Sequence, residues 1–251
     1  MKRALYLVVV FSLLFSLYTA NDRSVKAYNK INYHSPHRRC VMLDLPALIS
    51  RAKLSTVHIR VNDSLQGSGV IVDEHTVLTA GHIVGGAESV EITLSDGSKL
   101  YAAFWTADPN NDAGTLIFEE TFLPHRIARM ADSDSLVVGE PVLAVGSPYG
   151  DTFFNTISFG IAAGLDRDLG RDWGDVITAD ILCDPGYSGG PVFNMRGEVI
   201  GLVVGTYSRY GNGTVVMPVN ICKGLMEDGK ETTADKAGID IRVDEPQVKG
   251  R

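Results

Sequence analysis

Ser188 stands in Asp184-Pro185-Gly186-Tyr187-Ser188-Gly189-Gly190-Pro191, a serine set among glycines just before a β-branched run. Such a sequence places a hydroxyl on a sharp turn where a carbonyl can approach. It also lets the backbone N–H groups of Gly186 and Ser188 converge on one point, the arrangement that stabilises a tetrahedral oxyanion. A serine hydroxyl needs a base, and near neutral pH that base is histidine. Of six histidines, His82 alone follows an apolar strand directly, in Val77-Leu78-Thr79-Ala80-Gly81-His82. His34, His37 and His125 sit in connecting segments, His58 alternates along a strand and His75 lies in the polar turn Asp73-Glu74-His75. A carboxylate must then fix the imidazole tautomer. Asp112, directly before the apolar Thr115-Leu116-Ile117-Phe118, is one candidate, and Asp108, which can cap the turn at Pro109, is the other.

These side chains need rigid elements beneath them, and the composition says which kind. The chain has 251 residues, 45% hydrophobic and 21% charged, with a formal net charge of −7. That excludes a disordered polar chain and a basic nucleic-acid binder. Glycine at 26 residues and proline at 10 imply many tight turns. Three cysteines, Cys40, Cys183 and Cys222, are too few for a disulfide scaffold and lack zinc-ligand spacing.

From Leu54 onward, short β-branched runs alternate with Gly, Asp and Asn. Twelve strands are predicted: Thr56–Val61, Gly69–Val72, Val77–Thr79, Ser89–Thr93, Leu100–Thr106, Thr115–Phe118, Pro141–Val145, Thr156–Ala163, Val176–Asp180, Pro191–Phe193, Val199–Val204 and Thr214–Pro218. Six lie on each side of a seam near His125–Val138, so the fold class is all-β. Asp44 can cap a helix over Leu45–Lys53, and Asn220 one over Cys222–Asp228. No solenoid-length repeat, nucleotide motif or metal-ligand set is present; His34 and His37 lack a carboxylate or thiolate companion. No cofactor or metal is expected.

The N-terminus reads as an export signal or membrane anchor. Met1-Lys2-Arg3 precedes the uncharged stretch 4–20, about 26 Å if helical. Ala20 suits a cleavage site, but the bulky Tyr18 half-breaks the small-residue pattern, which favours an uncleaved anchor. Residues 21–43 form a basic linker, with Arg23, Lys26, Lys30, Arg38 and Arg39 able to meet anionic lipid. The expected organisation is 1–20 signal or anchor, 21–43 linker, 44–228 folded domain and 229–251 polar tail.

The order His82, Asp112, Ser188, one near each of three strand ends, resembles the trypsin-like serine peptidases, in detail the HtrA/Deg-type branch. That family's motifs appear as Gly67-Ser68-Gly69-Val70-Ile71-Val72, Thr79-Ala80-Gly81-His82, Asp96-Gly97, Asp108-Pro109-Asn110-Asn111-Asp112, Val142-Leu143-Ala144-Val145-Gly146-Ser147-Pro148-Tyr149-Gly150, Ser158-Phe159-Gly160-Ile161, Gly186-Tyr187-Ser188-Gly189-Gly190-Pro191 and Gly197-Glu198-Val199-Ile200-Gly201. The resemblance implies a trypsin-like double β-barrel of two six-stranded barrels with short flanking helices, and an active site in the cleft between them. It makes Ser188 the nucleophile, His82 the general acid/base, Asp112 the orienting carboxylate, and the Gly186 and Ser188 N–H groups the oxyanion hole. Val203, Val204 and Gly205 would pair with the backbone of a bound peptide. The implied reaction is peptide-bond hydrolysis through a covalent acyl-enzyme, on unfolded or extended polypeptides.

Three departures from the family pattern stand out. With about 23 residues after Asp228, no PDZ domain is expected after the peptidase. Tyr187 stands where the family has a small polar residue. Cys183 lies where the wall of the primary specificity pocket is expected, which suits small aliphatic side chains and gives no acidic floor for Lys or Arg. Gly164–Asp175 resembles the family's regulatory loop. The competing functional reading is a latent peptidase-fold module that binds extended chains as a chaperone does, a state Tyr187 would favour. An esterase fits poorly because the serine is not in a G-x-S-x-G elbow. Related enzymes form homo-oligomers, an expectation that no particular residue here carries.

Overall fold

The computed structural model describes residues 44–170, 175–207 and 213–226. The chain divides into units 1–43 and 44–251, and every described residue belongs to the second. The expected anchor, the basic linker with His34, His37 and Cys40, and the tail beyond residue 228 lie outside the described residues. Among the described residues no helix is long and apolar enough to cross a membrane.

Helix α1 (Leu45–Ser55) begins where Asp44 accepts the Ala47 N–H at 3.1 Å, with Pro46 in the first turn where no N–H is needed. It ends where Ser55 and Thr56 hydroxyls both donate to the Ala52 carbonyl and the β-branched run Thr56–Val61 turns extended. Fourteen strands follow among the described residues. The first sheet holds β1 (Thr56–Val61), β2 (Leu65–Ile71), β3 (Thr76–Ala80), β4 (Val90–Thr93), β5 (Lys99–Tyr101), β6 (Phe104–Asp108) and β7 (Ala113–Ile117), in the order β5-β4-β1-β2-β3-β7-β6. A short helix α2 (Gly81–Val84) leaves the end of β3.

The second sheet holds β8 (Arg129–Met130), β9 (Pro141–Gly146), β10 (Thr156–Arg167), β11 (Val176–Ala179), β12 (Pro191–Asn194), β13 (Glu198–Tyr207) and β14 (Gly213–Pro218). Its order is β12-β9-β10-β11-β14-β13-β8, and the extra pairing of β12 with β13 closes six of these strands into a barrel. The first sheet stays an open half-barrel in its hydrogen bonding. The chain therefore has the mostly-β, trypsin-like double-barrel architecture.

Two differences take the strand number from twelve to fourteen. The run Leu100–Thr106 is split because Ala102 still donates to Val90 of β4 while Ala103 donates to Ile117 of β7, so the chain changes partner mid-run. The two-residue β8 lies in the seam and is held by parallel pairing of Arg129 with Glu198 and Met130 with Val199. The C-terminal helix also differs, since residues 219–226 are helical. Asn220 is therefore inside the helix rather than capping it, and its side chain donates to Asp132 at 2.7 Å and accepts from Lys223. The core is built from inward residues of both sheets; Ile59, Leu78, Ile92 and Leu116 fill the first and Leu143, Phe193, Leu202 and Met217 the second, all essentially without solvent contact.

Candidate active site

His82 is the second residue of α2, placed just beyond the fully buried strand β3. Asp112 sits at the end of the Asp108–Asn111 turn with φ +44°, in the left-handed region that aspartate and asparagine tolerate better than most residues. That conformation turns its carboxylate back onto α2. Oδ1 accepts the His82 main-chain N–H at 2.8 Å, and Oδ2 lies 2.8 Å from His82 Nδ1, with Oδ1 at 3.0 Å. The Asp112 side chain is 5% exposed and the His82 ring 43% exposed, so the imidazole is fixed on one edge and open on the other. Asp108, the other candidate, spends its carboxylate on its own turn, accepting from Asn110 N–H at 2.9 Å and Asn111 Nδ2 at 2.6 Å.

Ser188 comes from the opposite barrel, in the loop between β11 and β12. A Cβ at Gly189 would lie 2.7 Å from Ala80 N, so the residue after the serine abuts the strand end that launches His82. Gly186 at φ +106° and Gly189 at φ +81° make the turns that a residue with a Cβ resists.

Four consecutive carbonyls of this loop are tied down. Pro185 O accepts Tyr149 N–H at 3.3 Å, Gly186 O accepts the Ser68 hydroxyl at 2.7 Å, Tyr187 O accepts Gly190 N–H at 2.7 Å, and Ser188 O accepts Ser68 N–H at 2.8 Å. Tyr187 N–H donates back to Asp184 O at 3.1 Å and Gly189 N–H to Val203 O at 2.7 Å. The N–H groups of Gly186 and Ser188 are left without an acceptor among the described residues. All peptide bonds described are trans, so each N–H points away from the carbonyl before it.

The other predicted residues divide. Tyr187 is 3% exposed, and a Cβ on Gly146 would overlap its ring, so it is a core residue beneath the loop. Burial, with Cys183 and Asp184 adding to it, pushes its phenol well above the usual range. Cys183 is 6% exposed and free, its thiol pushed up to about 12 by burial, with the nearby Asp184 charge adding to this against a Thr214 contact. Cys222 is likewise buried and free, so the pair is unbridged. Both main-chain groups of Val203 already bond within the fold, its N–H donating to Gly190 O and its carbonyl accepting Gly189 N–H. Val204 is the bulged residue between the Val203–Val216 and Gly205–Val215 pairs.

Sequence reasoning missed three contributors. Ser68 joins both barrels, Tyr149 anchors Pro185, and the buried His58 meets Asp151 of the 147–155 loop at 3.2 Å beside an Arg60–Asp151 ion pair of 2.9 Å. The one available signal was Ser68 itself, a polar residue between two glycines in an apolar strand. Among the described residues no cluster of His, Cys, Asp or Glu could hold a metal ion. The structure thus offers an oriented imidazole, a serine on a pinned turn and two free N–H donors.

Comparison with known proteins gives concordant results. A family model described as "Trypsin-like peptidase domain" matches residues 67–202. The chain is 37% identical over 173 residues to a "Probable periplasmic serine endoprotease DegP-like" of Pseudomonas putida (strain GB-1), covering 65% of this chain and 35% of that one. It is 38% identical over 175 residues to the protein of the same description in Ectopseudomonas mendocina (strain ymp), covering 66% and 36%. The chain therefore spans about a third of the length of these curated relatives. Among solved structures it is similar to "HtrA-type protease AlgW with tripeptide", with a TM-score of 0.67, 25% identity and coverage of 77% of this chain and 64% of that one. A variant of that protease with tripeptide gives 0.66 and 28%, covering 72% and 61%.

Proposed function

The chain belongs to the trypsin-like peptidases, of the HtrA type, and from that premise we propose that it is an exported serine endopeptidase cutting extended polypeptides. His82 Nε2 takes the Ser188 proton as the hydroxyl attacks the scissile carbonyl, and Asp112 holds the Nδ1 proton that keeps the ring in the right tautomer. The developing oxyanion receives the Gly186 and Ser188 N–H groups. His82 then protonates the leaving amine, and water hydrolyses the acyl-enzyme with His82 again as base.

The observation that carries this reading is the loop with four carbonyls tied away and the two N–H donors left over, beside a bonded His82–Asp112 pair. It also favours an active site over the latent polypeptide-binding module, because the Pro185 carbonyl is turned to Tyr149 and the Gly186 N–H faces the other way. Val204 and Gly205 are the residues proposed to pair with substrate backbone, and Cys183 to favour a small aliphatic side chain before the cleaved bond. Export accords with the basic-then-apolar start of the sequence and with the periplasmic description of the relatives.

The test is Ser188→Ala on a casein or quenched-peptide substrate, together with fluorophosphonate labelling of the parent. Turnover should fall on the order of 10⁶-fold, and the label should sit on Ser188 in a one-to-one ratio. An alanine variant as fast as the parent overturns the mechanism, and a parent that neither labels nor cleaves supports the latent module instead.

A further inference from the structure

Ser68 is fully buried at the middle of β2, directly opposite His58 of β1, on a sheet that carries neither the nucleophile nor the oxyanion loop. All of its polar groups are in use. Its N–H donates to Ser188 O at 2.8 Å and its carbonyl accepts the Thr79 hydroxyl at 2.8 Å. Its Oγ donates to Gly186 O at 2.7 Å while accepting Ser147 N–H at 3.0 Å. The glycines on either side let it come this close: a Cβ at Gly67 would lie 2.9 Å from Ile83, the neighbour of His82, and one at Gly69 would lie 2.7 Å from Val77.

We propose that the Ser68 hydroxyl is the positioning group of the oxyanion hole, an inference that rests on the endopeptidase reading above. Gly186 has no Cβ to restrain it, so the direction of its N–H is set by whatever holds the peptide groups on either side. On the C-terminal side that is Ser68 Oγ on the Gly186 carbonyl, the one bond of that peptide group to the rest of the fold among the described residues, since its Tyr187 N–H turns back to Asp184 O within the loop. On the N-terminal side it is Tyr149 N–H on the Pro185 carbonyl, and Tyr149 belongs to the turn that begins at Ser147 and closes through Gly150 N–H on Ser147 O at 3.2 Å. The same hydroxyl takes Ser147 N–H, so one oxygen sets one anchor directly and the other through the turn. Without it the peptide group after Gly186 keeps only the Tyr187 N–H bond to Asp184 O at 3.1 Å, which lies within the same loop and ties it to neither barrel, and two buried groups, the Gly186 carbonyl and Ser147 N–H, lose their partner.

Because Ser68 acts through Gly186, its loss should weaken transition-state binding and leave ground-state binding alone. For Ser68→Ala the expected outcome is a fall in kcat of about 10²–10³, the size of losing one oxyanion donor, with KM changed less than about threefold. Affinity for a peptide boronate, which forms a tetrahedral adduct on the serine, should fall with kcat. Affinity of an uncleaved peptide for the Ser188→Ala protein should not change when Ser68→Ala is added. Ser68→Cys keeps the buried volume with a much weaker donor and should lose at least about tenfold in kcat; if the alanine variant does not fold, this variant decides. A folded variant with parental kcat, or with its loss confined to KM, overturns the proposal. A parent without peptidase activity would fail the endopeptidase reading itself, a distinguishable result.

Discussion

Asp112→Asn is the sharpest perturbation of this site, because the structure says which atom the amide nitrogen must occupy. Oδ1 accepts the His82 main-chain N–H at 2.8 Å, so the asparagine oxygen stays there and its NH₂ takes the Oδ2 position, 2.8 Å from His82 Nδ1. A donor at that place makes Nδ1 an acceptor and drives the ring proton to Nε2, leaving no lone pair to receive the Ser188 proton. The expected loss in kcat is about 10⁴, or about 5.4 kcal/mol of barrier at about 1.36 kcal/mol per tenfold. Folding should survive, since asparagine is at home at φ +44° and the main-chain bond is retained. The lost ionic hydrogen bond costs about 1–2 kcal/mol, a few degrees in Tm. The assay is turnover of a quenched-fluorescent peptide alongside thermal unfolding. A variant with an intact melting transition and kcat within about tenfold of the parent would refute the tautomer argument.

Two further outcomes follow from buried groups. Burial holds His58 below its ordinary value of 6.5, helped by Arg60 and opposed by Asp151 and Gln66. The unfolded chain therefore binds a proton that the folded one resists, so this contribution is complete above about pH 6.5 and is lost as pH falls towards the lowered folded value. Tm should drop between about pH 7.5 and pH 5 more in the parent than in His58→Gln, and equal drops would dismiss the effect. Cys183 and Cys222, with thiols pushed up to about 12 by burial, should resist iodoacetamide in the native protein near pH 8 and react in denaturant; native labelling of either, read by peptide mapping, contradicts their placement.

The all-β class was legible from β-branched runs and turn glycines, while the double barrel came from the resemblance to the trypsin-like peptidases; His82 and the serine loop were singled out by an apolar strand ending in a histidine and a serine set among glycines. What was not legible depends on partners distant in sequence. Ser68 acts through atoms 79 and 118 residues away, and no periodicity announces that. Asp108 and Asp112 look alike as acids before an apolar run; the resemblance chose Asp112, and its left-handed turn and bonds to His82 are features that residue type does not carry. Strand β8 has two residues and owes its existence to the parallel neighbour that holds it. The resemblance placed Val203 beside a bound peptide, and the bonds of its main-chain groups to Gly189 and Gly190 could not be read from residue type. Asn220 is a good capping residue that the helix simply overruns.

On the endopeptidase reading proposed above, the bond from Ser68 to the Ser188 loop also bears on when the molecule becomes dangerous to its neighbours. The imidazole and its carboxylate both belong to the first half of the fold, whereas the serine loop is held by β2 on one side and by Val203 of β13 on the other. On that reading a chain emerging from synthesis carries separated halves of a cutting device until β13, nearly its last strand, has docked. Under the same proposal, hydrolysis serves as its own certificate of assembly, and a nascent or half-unfolded copy is poorly equipped to digest the chains beside it.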